Sequence, residues 1–185
     1  MKVGVVSDSH GELENLEKAV EHLTKKEKVE MIIHLGDDSD DAKIIEKFGV
    51  KVIKVPGVFE SYYQDPNIPN RLLEDFNGWK VLLTHTDVSH KNDLPTDLKP
   101  EKLVAEKTVE IVLHGHTHIP RIEEKEEVLF INPGHLKKED KKGYPPSFAV
   151  IEFEKEKLTV KLIGLDGKEI QAKSYQRKGK TQPST

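Results

Sequence analysis

Three histidines lie within five residues in the segment LHGHTHIP, at positions His114, His116 and His118. Alternate residues of an extended segment project to the same side, so His116 and His118 are predicted to reach one cluster while Thr117 turns away. Imidazole nitrogens are common ligands of divalent transition metals, and this spacing favours metal ligation over a structural role. His114 precedes the glycine at the end of the predicted strand and is assigned a structural role.

Further residues of metal-ligating types stand directly after short apolar runs at positions 2–7, 29–35 and 79–84. They are Asp8, His10, Asp37 and His85. Taken singly, each has an ordinary structural explanation, such as a helix N-cap, a turn aspartate or a buried histidine at a strand end. The carboxyl ends of parallel strands meet at one edge of a sheet, so together these residues predict one shared site.

The positions of the apolar runs predict alternating strands and helices in the first half of the chain. A helical period, formed by Leu13, Leu16, Val20 and Leu23, follows the first run. A shorter helical pattern follows the second run, and a third run ends at Pro56-Gly57. Repeated strand–helix units indicate a parallel sheet that is covered by helices.

The second half of the chain contains more hairpin signals than the first. Asn77-Gly78 separates two apolar runs and predicts a tight hairpin, whereas residues 58–70 lack a period and predict a loop over the site. The chain is therefore predicted to be an α/β protein with two mixed sheets stacked face to face and helices outside. We expect one domain over residues 1–170 and a polar, basic, disordered tail over residues 171–185.

Composition excludes several kinds of site and partner. The 185 residues include no cysteine, which excludes disulfides, thiolate metal sites and cysteine nucleophiles. The formal net charge is −4, and an acidic body favours a frayed basic tail over a nucleic-acid-binding arm. No apolar run approaches the roughly 18 residues of a membrane span, and the first residues do not read as a signal peptide, so we expect a cytoplasmic protein.

Six short motifs, taken in order, resemble the calcineurin-like metallophosphoesterases, in particular their small single-domain microbial phosphodiesterases. The motifs are DSH from Asp8, GDD from Gly36, GVFE from Gly57, TH at His85, GHTH from Gly115 and INPG from Ile131. The family pattern is D-x-H, G-D, G-N-H-[D/E], H and G-H-x-H, and the resemblance runs over residues 2–160. It implies a four-layer α-β-β-α sandwich with two divalent metals at one rim.

The resemblance also implies a role for each candidate residue. Asp8, His10 and His118 would hold the first metal, Asp37 would bridge both, and His85 and His116 would hold the second. Mn²⁺ is the expected ion, and Ni²⁺, Co²⁺, Fe²⁺ or Zn²⁺ would suit the same ligands. The paired metals, held by the catalytic residues Asp37, His85 and His116, would activate a bridging hydroxide for in-line attack on phosphorus.

The GVFE motif departs from the family pattern at two positions. Val58 stands where the family has a metal-ligating asparagine, which predicts a weakened second metal site. Phe59 stands where many members have a histidine that protonates the leaving group. Glu60, Asp87, His90 and His135 lie close in sequence to the predicted rim and could compensate. Thr86 also departs, since a glycine often follows the ligand histidine.

Three functions are compatible with this departure. The first is a metal-dependent phosphoesterase, which the retention of every other predicted ligand favours. The second is a protein-binding scaffold like the retromer scaffold subunit, which resembles this chain in having a phenylalanine at the acid position. The third is a structural metal site without catalysis. An exposed apolar patch away from the rim would favour the scaffold, and loss of stability on chelation without activity would favour the structural metal.

The sequence offers few groups for clamping a phosphate dianion. Lysine supplies 26 of the 29 basic residues, a composition typical of hyperthermophile proteins. The arginines are Arg71, Arg121 and Arg177. A diester carries less charge than a monoester and needs fewer such groups. A small phosphodiester is therefore the expected substrate, with no membrane partner, and homo-oligomerisation is left open.

Overall fold

The structure is a computed structural model that describes residues 1–177. This part of the chain contains eleven strands and three short α-helices. The strands are β1 Lys2–Val6, β2 Met31–His34, β3 Lys51–Lys54, β4 Arg71–Phe76, β5 Trp79–Thr84, β6 Ile111–Leu113, β7 Arg121–Lys125, β8 Val128–Asn132, β9 Ser147–Phe153, β10 Lys157–Gly164 and β11 Glu169–Gln176. The helices are α1 Leu13–Glu21, which continues as a π-helical turn over His22–Lys26, α2 Lys43–Glu46 and α3 Pro100–Ala105.

The strands form two mixed sheets. The six-stranded sheet has the order β11-β10-β9-β1-β2-β3, in which β1, β2 and β3 are parallel and the remaining pairs are antiparallel. The five-stranded sheet has the order β4-β5-β6-β8-β7, in which β5, β6 and β8 are parallel. The expectation of two mixed sheets is confirmed.

The apolar core lies in three parallel layers. Between the sheets, Val3 and Val5 of β1 pack in the same cluster as Val81 and Leu83 of β5. On the outer face of the six-stranded sheet, Val6 of β1 and Ile32 of β2 belong to a second buried cluster. The helices contribute Leu16 and Val20 of α1 and Ile45 of α2 to the same cluster. On the outer face of the five-stranded sheet, Leu82 and Val112 pack near Val104 of α3. The predicted four-layer α-β-β-α sandwich is therefore confirmed.

The predicted hairpin at Asn77-Gly78 is also confirmed. Asn77 has φ of 53° and Gly78 has φ of 90°, and this two-residue connection joins β4 to β5. A tight hairpin with right-handed strand twist requires positive φ at both central residues, which asparagine and glycine tolerate well. This hairpin places β4 at one edge of the five-stranded sheet.

The predicted tail boundary is wrong at residue 171. Residues 171–176 continue β11, which pairs along its length with β10, so the sheet extends beyond the expected domain end at 170. The side chains of β11 are mostly exposed, which explains why composition alone resembled a tail. The expectation of disorder for residues 178–185 lies outside the described residues. Within residues 1–177, the helices are too short or too polar to cross a membrane.

A buried histidine ties the end of β2 to the loop after β1. The Gly36 backbone N–H donates to Nδ1 of His34 at 3.2 Å, so Nε2 carries the proton and donates to Oγ of Ser9 at 3.0 Å. Oγ of Ser9 in turn donates to Oδ2 of Asp41 at 2.7 Å. Burial lowers the pKa of His34 to about 4 from 6.5, because the charged ring would lose its hydration.

This buried ring makes stability depend on pH. Since the pKa of His34 is lower in the folded than in the unfolded protein, the unfolded state binds more protons between pH 6.5 and 4. The free energy of unfolding should therefore fall by up to about 3 kcal/mol as the pH drops through this window. We expect His34→Gln to be less stable at pH 7 but to show a flatter pH dependence, measured by urea unfolding. Equal pH dependences in both proteins would contradict the assignment.

Candidate metal centre

The structure brings all six predicted ligands to one rim of the sandwich. They form two overlapping groups, in each of which the ligand atoms lie within 4.8 Å of one another. The first group is Asp8, His10, Asp37 and His118, and the second is Asp37, His85 and His116. Each group draws residues from both sheets, and Asp37 belongs to both.

The two carboxylate oxygens of Asp37 face different groups. Oδ2 lies 3.6 Å from Nε2 of His10, and Oδ1 lies 3.4 Å from Nε2 of His85. In the first group, Nε2 of His118 lies 3.2 Å from both Oδ1 of Asp8 and Nε2 of His10. In the second group, Nδ1 of His116 lies 3.2 Å from Nε2 of His85. Asp37 thus has the geometry of a bridging carboxylate.

Five of these six residues have left-handed backbone conformations. The φ angles are 53° for Asp8, 47° for His10, 56° for Asp37, 64° for His116 and 62° for His118. Such conformations are uncommon for residues other than glycine and cluster at functional sites. The expected extended geometry of the GHTH segment is wrong, since His116 and His118 converge through two left-handed residues after β6 has ended.

Outer hydrogen bonds orient three of the ligands. His85 donates from Nδ1 to the Leu35 carbonyl at 2.8 Å, which leaves Nε2 free to face Asp37. His118 donates from Nδ1 to Oδ1 of Asp140 at 2.6 Å, which leaves Nε2 facing Asp8. The second oxygen of Asp8, Oδ2, accepts from the His116 backbone N–H at 3.0 Å. No motif in the sequence marks Asp140, so sequence reasoning missed it.

Two glycines permit the close approach of the ligand loops. A Cβ atom at Gly57 would overlap Oδ1 of Asp37, and a Cβ atom at Gly115 would overlap Oγ of Ser7 and Oδ2 of Asp8. Both clashes involve buried or tightly packed groups rather than flexible side-chain ends. These positions therefore require glycine for the ligands to sit where they do.

The INPG motif supports the GHTH loop. Nδ2 of Asn132 donates to the Gly115 carbonyl at 2.7 Å and to Oγ1 of Thr117 at 3.0 Å. His114 is buried beside Phe130 at a ring-centroid distance of 6.4 Å and belongs to neither ligand group. These contacts agree with a structural role for His114.

The GVFE segment places no ligand at the position of Val58. The Val58 side chain is buried, and its carbonyl accepts from Nδ2 of Asn92 at 2.9 Å. Phe59 is 69% exposed, with its ring centroid 6.5 Å from that of His116. Glu60 joins its loop to the segment after β2, since Oε1 accepts from the Gly57 N–H at 2.6 Å and Oε2 accepts from Oγ of Ser39 at 2.6 Å. Glu60 therefore shapes the loop and does not replace the missing ligand.

The other residues named as compensating groups lie at different depths. His135 is buried, and both of its ring nitrogens are hydrogen-bonded to backbone groups, of Tyr144 and Lys137. Its ring packs 5.2 Å from that of His118, so it buttresses that ligand. His90 lies nearer the second group, with ring centroids 5.7 Å from Phe59 and 6.0 Å from His116. Asp87 acts electrostatically on His114, outside both ligand groups.

The electrostatics of the rim favour bound positive charge. Burial raises the pKa of the Asp8 carboxyl, but the contact with His118 and the charge of His85 outweigh burial and hold the pKa below its usual value. Burial lowers the pKa of His85, but Asp37 and Asp8 more than offset it and raise the pKa. Burial and the neighbouring His85 hold the pKa of His116 low, which keeps this ring neutral. The carboxylates are thus ionised and attract cations.

One buried atom tests whether the residues fit a metal. Oδ1 of Asp8 is buried and faces the centre of the first group, yet no donor among the described residues reaches it. Nε2 of His118 lies 3.2 Å away but is the unprotonated nitrogen when Nδ1 of the neutral ring donates to Asp140. Such an orphaned carboxylate oxygen is costly unless a cation satisfies it. Neutral imidazoles and carboxylates are ligands suited to divalent transition metals. The residues present therefore fit divalent metal ions.

Comparisons with known proteins agree with this arrangement. A phosphodiesterase of Methanocaldococcus jannaschii is 31% identical over 148 residues, which cover 72% of this chain and 83% of the relative. A crystal structure of a predicted phosphoesterase of Streptococcus pneumoniae superposes with a TM-score of 0.69 at 23% identity, covering 95% of this chain and 97% of that one. The structure of Vacuolar Protein Sorting 29 from Cryptosporidium parvum superposes with a TM-score of 0.71 at 21% identity, covering 95% of this chain and 98% of that one.

The two superposed structures are too distant in sequence to show more than a shared fold. Residues 1–156 match the family model of the calcineurin-like phosphoesterase superfamily domain. Members of this family bind divalent metals. The match covers every residue of the two ligand groups. The chain belongs to the calcineurin-like phosphoesterase superfamily.

Proposed function

We propose that this protein is a divalent-metal-dependent phosphodiesterase. The observation that carries the proposal is the pair of ligand groups that share Asp37, because one anionic bridge between two imidazole-lined sites suits two adjacent cations. Asp8, His10, Asp37 and His118 would hold the first ion, and Asp37, His85 and His116 the second. Mn²⁺ is the ion we expect.

The chemistry of phosphodiester hydrolysis divides between the ions and the chain. When bound, the ions supply Lewis acidity that polarises the phosphoryl oxygens and activates water for in-line attack on phosphorus. The chain fixes the ligands before substrate arrives, through the His85 contact with Leu35 and the His118 contact with Asp140. Such preorganisation removes the cost of rearranging polar groups during the reaction.

The arginines support a diester over a monoester substrate. Arg71 is buried and bonds to Asp93, Leu98 and Thr84, so its guanidinium holds a loop and is not available to substrate. Arg121 lies 3.0 Å from Glu123 on β7. Neither guanidinium lies in a ligand group or clamps a dianion at the rim. A higher kcat/KM on phenyl monophosphates than on diesters would overturn the preference.

A protein-binding function is the second candidate. It rests on Phe59, which exposes 69% of its surface beside the second ligand group. Leu73 and Ile170 are two further exposed apolar side chains, and they lie at different edges of the sandwich. Leu73 lies on β4 at one edge of the sandwich, whereas Ile170 lies on β11, whose Lys173 reaches Ile122 of β7 at the other edge. This distribution favours the enzyme.

The first expected outcome concerns activity itself. We expect the protein, stripped of metal and reloaded with Mn²⁺, to hydrolyse bis(p-nitrophenyl) phosphate, and His116→Ala to lose at least about 100-fold in kcat/KM because the second group keeps only two ligands. His114→Ala, outside both groups, is the matched histidine control for kcat/KM. Equal turnover by wild type and His116→Ala would reject the second site. Metal-dependent melting without turnover would favour a structural metal.

The second expected outcome concerns Asp140. Because this carboxylate orients His118, we expect Asp140→Asn to weaken Mn²⁺ binding at the first site by about 10- to 100-fold. Isothermal titration calorimetry of the stripped protein measures this directly. Asp166→Asn, which removes an exposed carboxylate from a turn, should leave the affinity unchanged. An unaltered affinity in Asp140→Asn would show that the hydrogen bond to His118 does not support the metal.

The third expected outcome concerns the leaving group. Nδ1 of His90 accepts from the Asn92 N–H at 3.2 Å, so the neutral ring carries its proton on Nε2, and the ring lies beside Phe59 at the rim. A neutral imidazole does not give up this proton, but its Nε2–H can donate a hydrogen bond to the departing oxygen and stabilise its charge. We expect His90→Ala to reduce kcat/KM by about 10²–10³-fold on an alkyl diester but little on p-nitrophenyl diesters, whose leaving oxygen needs less stabilisation. Equal losses on both substrates would contradict a role for His90 at the leaving group.

A further inference from the structure

An open cleft of about 630 Å³ adjoins the candidate metal centre. One wall is the ligand loop that carries His116, Thr117 and His118. The opposite wall belongs to residues 137–142, with the sequence KKEDKK, of which Lys137, Lys141 and Lys142 line the cleft together with Glu139 and Asp140. Metal ligands and lysines therefore face the same space.

The lysine wall is positively charged within an acidic protein. Residues 137–142 contain four lysines and two acids, a net of +2, whereas the whole chain carries −4. Among the described residues, no carboxylate lies within ion-pair distance of the ammonium groups of Lys141 or Lys142, and both side chains are exposed. Asp140 is already engaged, by His118 and by the Lys142 backbone N–H at 2.7 Å. The charge of this wall is thus largely uncompensated.

The lysine wall is also fixed relative to the metal ligands. Oδ1 of Asp140 accepts a hydrogen bond from Nδ1 of His118 at 2.6 Å, and Nζ of Lys137 lies 3.9 Å from the same oxygen. The Lys137 backbone N–H donates to Nδ1 of His135, which packs on His118. The wall is therefore anchored at its base, while Lys141 and Lys142 remain free to meet a ligand.

We propose that this cleft binds a second phosphate group of the substrate. The inference rests on the proposed phosphodiesterase function and names the substrate class: a phosphodiester that bears another phosphate within a few ångströms of the scissile bond. Lysine ammonium groups are strong point-charge partners for phosphate oxygens. The scissile diester, with one negative charge, would lie at the ligand groups, and the additional dianion would lie against Lys141 and Lys142.

Two substrates that differ by one phosphate test the proposal. Thymidine 3′-(4-nitrophenyl phosphate) and its 5′-phosphorylated form contain the same scissile bond and leaving group. With Mn²⁺-loaded full-length protein at low salt, we expect kcat/KM to be about tenfold higher for the 5′-phosphorylated form, as two exposed charge pairs would provide. Lys141→Gln/Lys142→Gln should abolish this preference, so that the two substrates have equal kcat/KM in this variant.

The matched control removes the same charge far from the cleft. Lys51 begins β3 and Lys155 lies in the turn between β9 and β10, and both are exposed. Lys51→Gln/Lys155→Gln should keep the full preference for the 5′-phosphorylated substrate. A wild-type enzyme without that preference, or a preference that survives in Lys141→Gln/Lys142→Gln, would overturn the proposal.

A binding measurement separates this inference from the proposed activity. If neither substrate is hydrolysed, the phosphodiesterase proposal fails, and the cleft is tested by calorimetry on Mn²⁺-loaded protein. Tighter binding of thymidine 3′,5′-bisphosphate than of thymidine 3′-monophosphate, lost in Lys141→Gln/Lys142→Gln, would support the phosphate site on its own. Equal affinities for the two nucleotides would reject it.

Discussion

Two hydrogen bonds that cross between the sheets hold the candidate site together. The backbone N–H of His116, after β6, donates to Asp8, after β1, and the ring of His85, after β5, donates to the carbonyl of Leu35, after β2. Since each ligand group takes residues from both sheets, the spacing of the sheets sets the spacing of the ligands. The inter-sheet layer of close-packed branched side chains fixes that spacing, because such cores deform little.

The rigidity of this core also explains how the rim tolerates strained backbone. A left-handed conformation at a residue other than glycine costs about 1–3 kcal/mol, and five ligands adopt one. Stabilising contacts elsewhere in the fold offset this cost. The left-handed residues allow short loops after four different strands to turn their side chains toward one point. Gly57 and Gly115 let those loops approach more closely than any residue with a Cβ would allow.

The sequence predicted the elements whose signals are local, and it failed where tertiary contacts decide. Asn77-Gly78 determines its hairpin by backbone preference alone, and apolar periods located the central strands. The convergence of His116 and His118 was predicted for the wrong reason, because a left-handed turn leaves no periodic signal. Asp140 carries no motif and is recruited only by the folded position of His118. β11 is mostly polar and exposed, because it is an edge strand stabilised by backbone pairing with β10. Its composition therefore resembles that of a tail.

The central position of β1 has a consequence for synthesis on the ribosome. β1 carries the first ligands of the site, yet its antiparallel neighbour is β9, with Val3 paired to Ile151. The nascent chain must therefore be extended by about 150 residues before β1 is enclosed on both sides. Pairing over such a separation in sequence is slow to nucleate because the intervening loop must be closed first. β1 is thus translated long before it reaches its final environment.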